Sequence, residues 1–152
     1  MRTEFHQQLG SLNTDLARMC ELAGNAMQRA TLGLLTVDLD AAEQVLTELQ
    51  TLARLRRDVD HAALSVLARQ APVASDLRAV VAAVHISSDA DRMGGLAGHV
   101  ARIVRRRHPE SVLPNDVIGQ FSEMGSLAVD LAEDAASVIV DGDPVRASRI
   151  RD

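Results

Sequence analysis

The sequence contains no tryptophan or tyrosine, only two phenylalanines, and a single cysteine in 152 residues. The lone Cys20 excludes an intrachain disulfide and a thiolate metal cluster. With aromatics almost missing, the apolar 47% of the chain is essentially Ala, Val, Leu, Ile and Met. Such side chains build closely packed helices more readily than a β-sandwich, where β-branched and aromatic residues dominate. No run of about 18 uncharged apolar residues is available to cross a bilayer. The opening segment MRTEFHQQLG lacks the apolar stretch of a secretory signal. A cytoplasmic protein fits these absences. Excess positive charge is missing too: the formal net charge of −5 argues against a general nucleic-acid binder.

What remains is enough for one domain with a real core. Phe5, Leu9, Leu12, Leu16, Met19, Ala23, Ala26 and Ala30 recur in alternating steps of four and three, the seam of a bundle helix. This first helix runs to about Thr36, where VDLDAAEQ supplies a break and a fresh Asp cap. The second carries Ala42, Val45, Leu49, Leu52, Val59, Ala63 and Val66, with Arg56 interrupting the seam. Pro72 ends it and suits the first turn of the next helix. The third, from about Val73 to Arg107, has the seam Ala79, Ala83, Ile86, Ala90, Met93, Ala97, Val100 and Val104. Short links favour antiparallel neighbours. Residues 1–107 therefore read as an up-down-up three-helix bundle, its helices about 45 Å long.

Residues 108–115 read as a linker and 116–152 as the start of a second unit. Its helix, from about Asp116 to Val140, has an apolar seam at Phe121, Met124, Leu127, Ala128, Leu131, Ala135 and Val138. Met19, Leu22, Ala23, Ala30, Asp38 and Ala42 recur without a gap as Met124, Leu127, Ala128, Ala135, Asp143 and Ala147, an internal-repeat signal. Such an apolar seam, uncovered, exceeds the patch a soluble monomer usually shows. The fourth helix must therefore fold back on the first bundle or pair with another chain, and a homo-oligomer is the expectation.

The basic run Arg105–Arg107, followed by His108 and Pro109, has two readings. As a site it contacts phosphate or a lipid headgroup. As structure it is a helix C-terminus whose cations complement the macrodipole before a proline, the favoured reading.

The stretch DADRMGGLAGH, residues 89–99, resists helix propensity, since each interior glycine costs roughly 1 kcal/mol relative to alanine. A second stripe through Leu77, Val81, Val84, Ser88, Asp91, Gly95 and Gly98 turns from apolar to small or charged midway. Read as buried, it marks a site or a close helix crossing. Close packing accounts for Gly94, Gly95 and Gly98 but not for Asp91, which is costly to bury without a partner. A metal is poorly served locally. His85 and His99 lie about 21 Å apart along the helix, Asp89 and Asp91 point apart, and His85 with Asp89 supplies only two ligands. A structural ion pair is favoured over a metal. No Ser/His/Asp or Cys/His arrangement lies within local reach, and GGLAG at 94–98 follows no strand. The expectation is a protein that is not an enzyme.

The stretch RQAPVASDLRAVVAAVHISSDADRMGGLAGHVARIV, residues 69–104, closely resembles the PhoU family of bacterial phosphate-signalling proteins, and its HISSDADRMG wording resembles the actinobacterial branch. Asp38 and the Val59–Asp60 pair fit the same pattern. The resemblance implies a cytosolic all-α fold of two three-helix repeats, the second incomplete here. It also implies an adaptor and negative regulator of the phosphate-starvation response, linking a phosphate ABC transporter, through its ATPase, to a sensor histidine kinase. Membrane association is then only indirect, through partners, and nucleic acid is not a partner.

Asp76, Arg78, Asp91 and Arg92 match the family's motif and are the candidate functional residues. Against that, Asp76 is also a first-turn carboxylate at a helix N-terminus, worth about 0.5 kcal/mol, and Arg78 and Arg92 also read as intramolecular ion-pair partners. Some family members bind iron or zinc clusters through paired carboxylates. Here the motif reads Asp91-Arg-Met-Gly-Gly95, so Asp91 is the candidate ligand and Gly95 replaces the second carboxylate. No cofactor is therefore expected. The alternative is a metal-binding helical bundle, holding iron or zinc through carboxylates without a signalling role.

Overall fold

The computed structural model describes residues 2–70 and 74–151 and holds five α-helices, with no strand among the described residues. Three long helices, α1 (Arg2–Thr36), α2 (Leu39–Gln70) and α3 (Ser75–Arg107), each pack on the other two. They form the expected up-down-up bundle. A fourth, α4 (Ile118–Asp141), lies along α1 and leads into the short α5 (Pro144–Arg151). Pro72 and the expected start of the third helix at Val73 fall outside the described residues. Among the described residues, no helix is long and apolar enough to cross a membrane.

The seam of α1 is the centre of the core. Phe5, Leu12, Leu16, Met19, Ala23, Ala26 and Ala30 are all buried, with Leu9 half-buried. From α2, Ala42, Val45, Leu52, Val59, Ala63 and Val66 join them.

The α3 seam differs from expectation. Ala83, Ala90, Ala97 and Val104 are buried as read, but Val80, Ser87, Gly94, Gly98 and Ala101 are buried beside them, while Ala79, Ile86, Met93 and Val100 are only half-buried. The cause is steric. A Cβ on Gly94 would run into Leu52 Cδ2 of α2, and one on Gly98 would meet Leu49 Cδ1. Without those side chains, two leucines of α2 rest on the α3 backbone and turn the glycine row inward. The stripe read as buried is mostly a solvent face: Leu77, Val81 and Val84 are 42%, 44% and 39% exposed. Gly95 is no packing glycine either, because a Cβ there meets nothing within 4 Å.

The α1–α2 link is a tight left-handed turn. Val37 has φ 57°, and the Asp38 N–H donates to the Gly33 carbonyl at 3.2 Å, closing the last turn of α1 as a Schellman motif. The Asp38 carboxylate then caps α2 by accepting from the Ala41 N–H at 3.0 Å. The α4–α5 link is a related turn, closed by the single bond of an αL motif. Gly142 has φ 66° and donates to the Val138 carbonyl, and Asp143 accepts from the Val145 N–H at 2.9 Å. The internal repeat read from the sequence pairs Asp38 with Asp143, and these two residues do the same work.

The fourth helix corrects the expected seam. It folds back on α1 through small residues, Gly125, Ala132 and Ala136, which are buried. Gly125 sits against the Thr31 side chain, and a Cβ on Gly24 would stand 3.0 Å from Ala132 Cβ. Met124, Leu127 and Leu131, read as part of a seam needing cover, are 61%, 55% and 47% exposed and are not what meets α1. Close backbone approach, rather than side-chain bulk, selects the face that meets α1.

At the far end of α3, Arg105, Arg106 and Arg107 occupy the last turn, and Arg105 pairs with Glu43 of α2 at 3.7 Å. That is the structural reading of the basic run.

Candidate functional site

The cluster that answers the odd stretch lies between α2 and α3. Asp91 leaves α3 toward α2, where Arg56 meets it: Nη1 donates to Asp91 Oδ2 at 2.7 Å. The same guanidinium holds Asp60, one turn along α2, with Nε 3.7 Å from Asp60 Oδ2. Asp60 Oδ1 accepts from the Ser87 hydroxyl at 3.3 Å. Ser87 is the fully buried polar residue of α3, one turn before Asp91. Two i,i+4 pairs on facing helices thus make one closed set of cation, two carboxylates and hydroxyl.

The electrostatics are modest. Side-chain exposures of 36% for Arg56, 34% for Asp91 and 40% for Asp60 leave the charges partly hydrated. Solvent screening then holds such a pair to about 1 kcal/mol or less. The short Nη1–Oδ2 distance is that of a charge-assisted hydrogen bond, which fixes orientation as much as energy.

The other predicted site residues stand elsewhere. Arg92 points away from the cluster and pairs with Asp89 at 3.3 Å, both largely exposed. Asp76 occupies the first turn of α3 beside Ser75, and Arg78 is exposed two residues on. Both lie about 20 Å along the helix from Asp91. The structure therefore does not gather the four candidates into one pocket: Asp91 belongs to the cluster between α2 and α3, Asp76 is half-buried at the start of α3, and Arg78 and Arg92 are exposed. Sequence reasoning missed Arg56 and Ser87. Arg56 had a signal, a charge on an apolar seam, but its partner lies on another helix. Ser87 had none.

The metal that the resemblance implies was tested against this donor set, and the residues do not fit it. Asp91 already holds a guanidinium, Gly95 offers no donor, and His85 and His99 are exposed. Among the described residues no three His, Cys, Asp or Glu side chains come together to hold an ion. The thiol of Cys20 is no nucleophile at neutral pH, because burial, helped by the nearby Glu21 charge, pushes its pKa up to about 11.

Fold and site together define a helical scaffold whose charged cluster is satisfied from within and whose exposed side chains are left for contacts. Comparison with known proteins is specific on this point. A PhoU domain model matches residues 16–104. The chain is 50% identical over all 152 residues to the phosphate-specific transport system accessory protein PhoU homolog 2 of Mycobacterium tuberculosis, covering 71% of that protein. It is 49% identical over the same span to PhoU homolog 1 of Mycobacterium leprae, covering 68%. A more distant relative, the PhoU homolog of Rhizobium meliloti, shares 25% identity over 148 residues, 97% of this chain and 62% of that one. The chain belongs to the PhoU family.

Proposed function

We propose that this chain is a cytoplasmic adaptor of phosphate uptake and a negative regulator of the phosphate-starvation response, linking a phosphate ABC transporter to a sensor histidine kinase. One observation supports the reading above others: 50% identity along the entire chain to a protein named as an accessory of the phosphate-specific transport system. Its action is contact, not chemistry. Asp76 and Arg78 at the open start of α3, with Arg92 further along, are the side chains offered to the transporter ATPase and the kinase. Asp91 acts through position, holding α3 against α2. Membranes are reached only through the transporter, nucleic acid is not engaged, and no cofactor is required. The exposed row Met124, Leu127 and Leu131 serves self-association. The alternative, a bundle that stores iron or zinc, has no convergent donor set behind it among the described residues.

The experiment is a clean deletion of the gene, with transcripts of phosphate-starvation genes measured in phosphate-rich medium. Those genes are expected to stay on in the deletion and to be silenced again by the wild-type gene. A version carrying Asp76→Ala and Arg78→Ala is expected to fold and yet fail to silence them. Normal repression in the deletion strain, with no second homologue present, would falsify the adaptor reading.

A further inference from the structure

Asp60 and Asp91 come from different helices, and both carboxylates face one guanidinium, that of Arg56, at 3.7 Å and 2.7 Å. We infer that Arg56 is a built-in counter-cation: it fills the position a divalent ion would need between these carboxylates and makes the α1–α3 bundle independent of metal. This assignment concerns the bundle itself and does not rest on the regulatory role.

Three features carry it. A planar guanidinium presents several donors in a fixed fork, so one group serves two acceptors on two helices. Here Nη1 donates to Asp91 at 2.7 Å, while Nε stands 3.7 Å from Asp60 as its ion-pair partner. The cation is also delivered by the chain, since Arg56 lies one helical turn from the carboxylate of Asp60. It therefore arrives with folding rather than by binding from solution. Lastly, the donors around it are already divided. Asp91 Oδ2 is taken by Nη1, and Asp60 Oδ1 faces the buried Ser87 hydroxyl. An incoming ion would have to expel Nη1 and would then find two carboxylates, with no third His, Cys, Asp or Glu side chain completing its shell among the described residues.

A simple surface ion pair and a counter-cation differ in what happens when the cation is removed. Loss of one surface partner leaves the other hydrated at little cost. Loss of a counter-cation leaves two negative charges facing each other, and neutralising one of them then relieves the damage. The test is thermal melting of the purified chain, of Arg56→Gln, of Asp91→Asn and of the double variant, each with EDTA and with excess manganese(II). Wild type is expected to melt at the same temperature in both conditions. Arg56→Gln is expected to melt about 3–6 °C lower, and the double variant to recover much of that loss.

A manganese-dependent rise in the wild-type melting temperature that Asp91→Asn abolishes overturns the inference. So does an Arg56→Gln penalty that is equal with Asp or Asn at position 91. If Arg56→Gln does not fold, Arg56→Lys carries the same comparison. Lysine keeps the charge but not the planar fork that reaches both carboxylates, so a smaller loss is expected, reduced again by Asp91→Asn. An equal loss in both backgrounds refutes the inference.

Discussion

Gly94 and Gly95 are neighbours in one helix, yet alanine is expected to act on them with opposite sign. In a helix interior, glycine to alanine is favourable by about 0.5–1 kcal/mol, because the glycine backbone loses more freedom on folding. At position 95 nothing opposes that gain, since the added Cβ meets no atom within 4 Å. Gly95→Ala should therefore stabilise the chain by about 0.5–1 kcal/mol. At position 94 the same Cβ collides with Leu52 Cδ2 and stands 3.1 Å from Leu49 Cδ2. Leu52 is 1% exposed and has no free volume to enter, so it must leave its rotamer or push α2 away. Overpacking of this kind costs about 1–3 kcal/mol. After the helix gain is subtracted, a net loss of about 1 kcal/mol remains.

The two variants should thus differ by about 2 kcal/mol, or about 4–8 °C in melting temperature for a chain of this size. Urea denaturation read by circular dichroism measures each directly, provided the slope of the transition is unchanged. Changes of the same sign would refute the account of how α3 meets α2. A destabilising Gly95→Ala in particular would mean that some atom approaches position 95 more closely than the packing described here.

Other outcomes follow from the same geometry. Gly142→Ala should cost about 0.5–1 kcal/mol, seen as a lower urea midpoint, because the left-handed turn after α4 strains any Cβ although no neighbour crowds it. The Cys20 thiol, raised from 9.0 to about 11, stays protonated in the fold where the unfolded chain ionises. Its contribution to stability is complete below pH 9 and is lost as pH rises toward 11. Melting temperatures should accordingly fall less steeply over that interval in Cys20→Ala than in wild type. Light scattering over a dilution series should show self-association that Leu127→Asp and Leu131→Asp abolish. A well-folded monomer at every concentration, indifferent to both substitutions, would show that the α4 row needs no cover.

Where bulky apolar residues decide the packing, the fold was legible in the sequence. The α1 seam is of that kind: seven of its eight positions from Phe5 to Ala30 are buried, though Ala17, Cys20 and Gly24 beside it are buried as well. Spacing failed where small residues decide. Gly94 and Gly98 admit Leu49 and Leu52, so the buried face of α3 widens from Ala83, Ala90 and Ala97 onto the glycines, and Ile86, Met93 and Val100 are only half-buried. Gly125, Ala132 and Ala136 carry little hydropathy, yet they form the face by which α4 lies on α1. The site was legible only by halves. Asp91 stood out as a charge needing a partner, and Arg56 as a charge breaking a seam. Their pairing spans 35 residues of sequence, beyond any local spacing rule.

The repeated turn connects these failures. Sliding the first helix onto the fourth brings Val37–Asp38 onto Gly142–Asp143, and the backbone agrees, a left-handed residue followed by an aspartate cap at both places. The same shift places Met124, Leu127 and Leu131 on Met19, Leu22 and Ala26. In α1 Met19 and Ala26 are buried and Leu22 half-buried, and these positions belong to the core that α1 builds with α2 and α3. Periodicity in α4 therefore picked out the row that matches, in sequence, the face α1 turns into its own bundle, although in α4 that row is exposed. A different face, made of glycine and alanine, was free to meet α1. The face that meets α1 is small-residue and the face left exposed is large-residue, and only the latter is visible to hydropathy.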